Sequence, residues 1–261
     1  MKIATWNVNG IRARQDEVAA FVAREQPDVL CLQEIKAGAD HIPKTVSDIP
    51  GYWGYFHGHK GYSGVALLIR KEAAPDRPLF VHPEFDLETR IAAATVDGVL
   101  IASIYVPNGG KDYAAKVRFL EAMAAYARGQ RALGTRVVLC GDLNVARAEI
   151  DVHPKQRDPR ATGQRPEERA LFEAVLAAGD LHDVGREREP TNDALFTWWA
   201  PWRNLRQRNI GWRLDYLLAS GDLAGAVESC VAEREFGTSD HAPVTAVFRS
   251  DRSPQRVPST R

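Results

Sequence analysis

The chain has 261 residues, 44% of them hydrophobic, and its 34 Lys and Arg balance its 34 Asp and Glu. A chain of this length buries enough apolar surface to fold without disulfide or metal staples, and zero net charge excludes a global basic field, so a polyanion-binding face has to be local. Cys31, Cys140 and Cys230 form no Cys-x-x-Cys pair, which excludes a disulfide scaffold or cysteine metal site and suits a reducing compartment. Positive charge is carried by 26 Arg against 8 Lys, a bias that suits phosphate recognition and equally follows from genome base composition. No leader-like start is visible, and no apolar run approaches the ~20 residues of a membrane span. A cytoplasmic protein without membrane contact is expected.

Residues 2–6 read as a strand ending at Asn7-Val8-Asn9-Gly10. Residues 13–26 set Val18, Ala19, Phe21 and Val22 among charges, an amphipathic helix closed before Pro27. The buried-strand run 29–32 delivers Gln33 and Glu34 at its end. This strand–helix–strand spacing predicts parallel neighbours with a shared rim, where Asn7 and Glu34 meet. Residues 36–51 read as a loop. Strands at 52–57 and 64–70 pair through the Gly-Tyr-Ser-Gly turn at 61–64, and strands at 91–96 and 99–106 form a hairpin around Asp97-Gly98. A helix over 112–131 carries Val117, Leu120, Met123 and Ala124 on one face.

Residues 136–144, Arg-Val-Val-Leu-Cys-Gly-Asp-Leu-Asn, read as a buried strand that stops at Gly141. Asp142 and Asn144 lie on one side if extended geometry persists. On these residues alone a turn is the stronger reading. Residues 146–165 form a long polar loop, and 166–178 a helix with Pro near its start and Gly179 beyond its end. Residues 197–213 interleave Trp198, Trp199, Trp202 and Trp212 with Arg203, Arg206, Arg208 and Arg213. Strands follow at 214–218, 227–232 and 244–248, with Ser239-Asp240-His241-Ala242-Pro243 between the last two. Residues 1–250 are expected to form one domain, and the Ser-, Pro- and Arg-rich 251–261 a disordered tail.

Polar residues recur at strand ends: Asn7, Glu34, Tyr105, Asn108, Asp142, Asn144, Asp215, Asp240 and His241. Each alone has a plain structural reading as a turn, a cap or a core hydroxyl. Asp215 is harder to dismiss. It falls between Leu214 and Tyr216 in an apolar strand, where a carboxylate needs a partner, and a histidine is one available partner.

Taken in order, Trp6-Asn7-Val8-Asn9-Gly10, Leu32-Gln33-Glu34, Gly61-Tyr62-Ser63-Gly64, Tyr105-Val106-Pro107-Asn108, Gly141-Asp142-Leu143-Asn144, Gly211-Trp212-Arg213-Leu214-Asp215-Tyr216 and Ser239-Asp240-His241 resemble the exonuclease III family of abasic-site endonucleases. That family lies within the endonuclease/exonuclease/phosphatase superfamily. The resemblance spans residues 3 to about 249 and implies an α/β fold, a four-layer α-β-β-α sandwich of two packed mixed β-sheets flanked by helices. It implies Mg²⁺-dependent hydrolysis, with Mn²⁺ as an alternative, of the phosphodiester 5′ to an abasic site in double-stranded DNA. It further implies 3′→5′ exonuclease and 3′-phosphatase or phosphodiesterase action on blocked 3′ ends, by a monomer.

By the same resemblance Glu34 is the principal metal ligand, with Asn7, Asp142, Asn144, Asp240 and His241 near the metal or its waters. Asp142 activates water, Asn144 orients it or holds phosphate, and Asp215 fixes His241, which offsets charge at the phosphate. Either Asp142 or His241 is able to take the proton. Tyr105 and Asn108 hydrogen-bond phosphate, and Tyr62 lies on the DNA face. Trp198, Trp212 and Leu214 form an apolar pocket for a flipped abasic sugar, with Trp202 and Arg206 against the duplex. Three departures stand out: Lys111 replaces an inserting Arg, Asn9 stands where some relatives have Asp, and residues 153–162 match poorly. The alternatives are a superfamily phosphodiesterase acting on RNA or small phosphoesters, or a non-catalytic nucleic-acid binder. The retained acidic residues weigh against the latter.

Overall fold

Alternation along the strands builds the molecule. In β1 (Lys2–Asn7), Ile3, Thr5 and Asn7 point one way while Ala4 and Trp6 point the other. The same period of two recurs in β2 (Val29–Gln33), β4 (Tyr62–Arg70), β7 (Val99–Tyr105), β8 (Arg136–Asp142) and β10 (Asp215–Ser220). The computed structural model describes residues 1–59 and 61–249. The remaining elements are α1 (Gln15–Glu25), α2 (Lys44–Ser47), β3 (Tyr52–His59), β5 (Phe80–Val81), β6 (Ile91–Val96), α3 (Tyr113–Ala132), α4 (Pro166–Gly179), β9 (Leu181–Asp183), α5 (Val184–Arg188), α6 (Gly221–Ala224), β11 (Val227–Ala232) and β12 (Val244–Phe248).

The strands form two six-stranded sheets, ordered β11-β12-β1-β2-β4-β3 and β5-β6-β7-β8-β10-β9. Parallel pairs β1–β2 and β7–β8 make both sheets mixed. Between them lies an apolar layer in which Ile3, Val29, Cys31 and Leu67 meet Ile101, Val138, Cys140 and Leu217. On the outer faces, Val18, Phe21 and Val22 of α1 cover Trp6, Leu30 and Leu32. Phe119, Leu120 and Met123 of α3, with Phe172 and Val175 of α4, cover Leu139, Tyr216 and Leu218. The expected four layers are present.

The inward positions become polar towards one end. Gln33 Nε2 donates to Thr5 Oγ1 and Ser103 Oγ, each at 3.0 Å, tying the two sheets together at a fixed height. At the rim, Asn7 lies opposite Gln33, Tyr105 opposite Asp142, and Asp142 opposite Asp215. Strand alternation thus gathers the chemistry into the gap between the sheets.

Several sequence expectations shift. The strand through Gly141 does not stop there but runs on to Asp142. Gly141 has φ +145°, and a Cβ on it would lie 1.9 Å from the Ile104 carbonyl oxygen, so the close approach of β7 requires glycine. Nor does extended geometry persist to Asn144, whose φ is +51°. Residues 36–51, expected as a loop, contain a 3-10 turn at Ala39–His41 and the short helix α2. On α3 the inner face is Lys116, Phe119, Leu120 and Met123, whereas Val117 is only half-buried. The elements β5, β9, α5 and α6 are too short to impose a periodic signature. The expected tail at 251–261 lies outside the described residues.

Candidate active site at the rim between the sheets

Asn7, fully buried at the end of β1, joins the two sheets chemically. Its Nδ2 donates to Glu34 Oε1 and to Asp142 Oδ2, each at 2.9 Å. Asn144 Nδ2 donates to the Val106 carbonyl at 2.9 Å and to Asp142 Oδ2 at 3.2 Å, while its backbone N–H donates to Asp142 Oδ1 at 2.9 Å. The two side chains meet because the chain turns back after Asp142, not because the strand continues. Glu34, Asn9, Lys36 and Asn144 all hold φ between +44° and +51°. Such concentrated backbone strain persists only where surrounding structure enforces it.

His241 is gripped from several sides. Its Nδ1 donates to Asp215 Oδ2 at 2.9 Å, its carbonyl accepts from the Trp6 indole at 3.1 Å, and its N–H donates to Ser239 Oγ at 3.3 Å. Asp215 is itself fixed by Thr197 Oγ1, which accepts its backbone N–H at 3.0 Å. The outward Nε2 then faces Asp142 Oδ2 at 3.8 Å.

Three carboxylates, Glu34, Asp142 and Asp215, therefore crowd one imidazole. Burial works to strip the ring of its proton, but Asp215 and then Asp142 outweigh it and raise the His241 pKa to about 10. The ring is charged at neutral pH. Burial is the largest influence on Asp142 and pushes its carboxyl up; His241 opposes this, Asp215 and Glu34 reinforce it, and the pKa ends up raised. Burial also pushes Glu34 up, but hydrogen bonds from Asn7 and Lys36 prevail and lower it. The Tyr105 phenol is driven well above its usual range by burial, then by the negative charge of Glu34 and Asp142, and stays protonated.

Ligand-type atoms of Glu34, Asp142 and His241 lie within 4.8 Å of one another. Two hard carboxylates in a buried, negatively charged gap fit a divalent cation. Of these three residues, Glu34 and Asp142 offer the hard oxygen ligands, with His241 beside them. Asp240, expected close by, is engaged one step further out: it accepts from Asn9 Nδ2 at 2.8 Å and from the Trp198 indole at 3.1 Å. Asn9 in turn accepts from Lys36 Nζ at 2.6 Å, and the same ammonium lies 2.7 Å from Glu34 Oε2.

Beside His241 the Trp198 and Trp212 rings meet edge to face at 5.5 Å and pack with Leu214, Ala146 and Val152. The apolar group named from the sequence is thus assembled, and the Trp198 ring lies 6.4 Å from the His241 ring. Tyr62, Asn108 and Lys111 are exposed, with the Lys111 ammonium 5.9 Å from the Tyr62 ring centre. Trp202 is exposed and stands outside the Trp198–Trp212 group. Arg206, expected against the duplex, is half-buried. Its guanidinium donates to the carbonyls of Arg234, Phe236 and Ser239 and braces the approach to Asp240.

Other supporting residues escaped the sequence reading. Lys116 and Glu168 form a wholly buried ion pair. Lys116 Nζ also donates to the Asn144 carbonyl at 2.7 Å, and Glu168 Oε2 accepts from Gly163 N at 2.7 Å. A lysine in helical phase with Phe119, Leu120 and Met123 was the available signal. Arg90, buried, places its guanidinium 4.6 Å from the Tyr105 ring centre and donates to Tyr62 Oη at 3.1 Å. Arg213 is buried between Asp151 and Asp183, with 2.7 Å contacts to each. Nothing local to the sequence announces either arginine.

Two packed mixed sheets with a carboxylate, amide and charged-histidine rim define a phosphoester hydrolase of the nuclease type. A family model described as the endonuclease/exonuclease/phosphatase family matches residues 4–241, and the chain belongs to that family. The chain is 36% identical to the DNA repair nuclease APEX1 of Danio rerio, over 94% of this chain and 81% of that protein. It is 32% identical to an exodeoxyribonuclease of Bacillus subtilis, over 95% of this chain and 99% of that one. Among solved structures it superimposes with a TM-score of 0.87 on the 3′ phosphatase NExo of Neisseria bound to a product DNA hairpin. That protein is 32% identical, with 96% of this chain and 100% of that chain covered.

Proposed function

We propose that this chain is a Mg²⁺-dependent DNA repair nuclease that hydrolyses the phosphodiester 5′ to abasic sites in duplex DNA, and that also trims 3′ ends as an exonuclease and 3′-phosphatase. The observation that carries this reading is the Asp215–His241 pair aimed at Asp142, beside Glu34 and flush with the Trp198–Trp212 group. The relatives named as DNA repair nuclease, exodeoxyribonuclease and 3′ phosphatase support it.

Glu34 and Asp142 would hold the cation, which when bound supplies Lewis-acid charge at the phosphoryl oxygens. His241 already carries its proton, so its Nε2–H is set to offset negative charge developing on the phosphate. The proton of the attacking water goes to Asp142, the buried carboxylate held by Asn7 and Asn144 and facing His241. Asn144 orients that water or the phosphate. The protonated Tyr105 and the exposed Asn108 donate to phosphate oxygens, and Tyr62 and Lys111 meet the DNA backbone. Trp198, Trp212 and Leu214 receive the baseless sugar, a pocket too small and apolar for a nucleotide that keeps its base. Residues 1–250 act as one monomeric unit in the cytoplasm, with Mn²⁺ able to replace Mg²⁺.

The decisive test is a duplex carrying one stable abasic analogue, incubated with Mg²⁺ or with chelator. Mg²⁺-dependent incision 5′ to the lesion is expected. A chain that leaves this duplex intact while cleaving RNA or small phosphoesters would overturn the reading.

A further inference from the structure

The sheets meet again along their free edges, where β3 is outermost in one and β5 in the other. Tyr55 of β3 stacks on Phe80 of β5 at 4.5 Å, and His57 stacks on His82 at 3.8 Å between ring centres. Asp86, in the connection to β6, closes the group with Oδ2 2.5 Å from His57 Nε2. Ligand atoms of His57, His82 and Asp86 lie within 4.8 Å of one another.

The surroundings orient two of these side chains, His82 and Asp86, as metal sites orient their ligands. His82 Nδ1 donates to the Ile91 carbonyl at 3.0 Å, which leaves Nε2 with the lone pair, now met by the Tyr55 hydroxyl at 2.5 Å. Asp86 Oδ1 is taken by the backbone N–H groups of Arg90 and Ile91, at 2.7 and 2.9 Å, so Oδ2 alone faces the imidazoles. We propose that His57, His82 and Asp86 form a transition-metal site of the Zn²⁺ class that clips the edges of the two sheets together. Two imidazoles and one carboxylate suit Zn²⁺ and not Mg²⁺, which prefers oxygen alone. The metal takes the place of the His57 Nε2–Asp86 Oδ2 hydrogen bond, the His57 proton moving to Nδ1 or to solvent, and Tyr55 Oη or a water completes the tetrahedron.

The clip has a structural consequence. Asp86 holds the Arg90 backbone, and the Arg90 guanidinium supports both Tyr105 and Tyr62. An ion at the edge therefore fixes the support beneath those two tyrosines.

The test separates this site from the rim by using the full chain with Glu34→Gln, freed of metal by chelator and titrated calorimetrically with Zn²⁺. The proposal expects about one Zn²⁺ per chain, and a visible absorption band of four-coordinate geometry when Co²⁺ is used. Adding His82→Ala, an exposed position, should remove both signals while circular dichroism shows an intact fold; His57→Ala is the second variant. Absence of Zn²⁺ binding by the Glu34→Gln protein, or unchanged binding in both histidine variants, overturns the site. Incision activity plays no part in the readout.

Discussion

Asp215→Asn isolates what holds the charge on His241. The substitution keeps the shape of the side chain and its place opposite Asp142, but removes the negative charge 2.9 Å from Nδ1. The rise of the His241 pKa from 6.5 to about 10 corresponds to about 5 kcal/mol in favour of the imidazolium, at about 1.4 kcal/mol per tenfold change in proton affinity. Asp215 leads the groups that produce this rise, ahead of Asp142 and Asp240, and burial opposes them all. Without Asp215, burial is opposed only by Asp142 and Asp240, and the His241 pKa should fall. A wrongly protonated histidine in a comparable pair costs roughly 10²–10⁴-fold in the chemical step. The assay is single-turnover incision of an abasic duplex at saturating enzyme and Mg²⁺, across pH. A group with a raised pKa is charged below that pKa, so on the alkaline side the wild-type enzyme should lose rate as pH climbs towards about 10, while its acid limb follows protonation of Asp142. The variant's alkaline limb should move to lower pH, with DNA affinity little changed. A variant within about threefold of wild type, with the same alkaline limb, would refute the reasoning.

Asp142→Asn should abolish the chemical step while sparing DNA affinity; near-normal single-turnover incision would remove Asp142 from its role as base. Trp212→Ala opens the group shared with Trp198 and Leu214 and should narrow the preference for abasic over intact duplex by about 10–100-fold, read as a ratio of kcat/KM values. Lys116→Met leaves the buried Glu168 carboxylate unpaired and should cost about 3–5 kcal/mol in urea unfolding. The double variant with Glu168→Gln should recover part of that loss, because no buried charge remains. Burial pushes Asp183 up, but the Arg213 guanidinium prevails and holds it below the usual carboxylate range. Its contribution to stability is therefore complete above about pH 4 and lost as pH falls through the lowered value. Urea midpoints measured from pH 7 downward should show a shallower acid loss in Asp183→Asn.

The sequence by itself determined the longer strands, because their apolar runs are local features of the chain, whereas β5 and β9 are too short to show one. That Ile3, Thr5 and Asn7, or Val138, Cys140 and Asp142, share one face came with the structure, where the second strand runs past Gly141 to Asp142. The sequence also placed Glu34, Asp142, Asp215 and His241 at strand ends, where a lone carboxylate in an apolar run demanded a partner. The tertiary structure decided which partners meet. That Asn7 donates to both Glu34 and Asp142, that Asp215 and not another acid holds His241, and that Lys116 supports Asn144 from a buried helix face depend on the order and register of strands far apart in the chain. Arg206 carries the same lesson. The carbonyls of Arg234, Phe236 and Ser239 that accept from its guanidinium lie far from it in the chain. Periodicity is a local property and survives in one dimension. Hydrogen-bond partnership, and with it charge state, is set by what the packed sheets bring within about 3 Å, and only the folded chain contains that information.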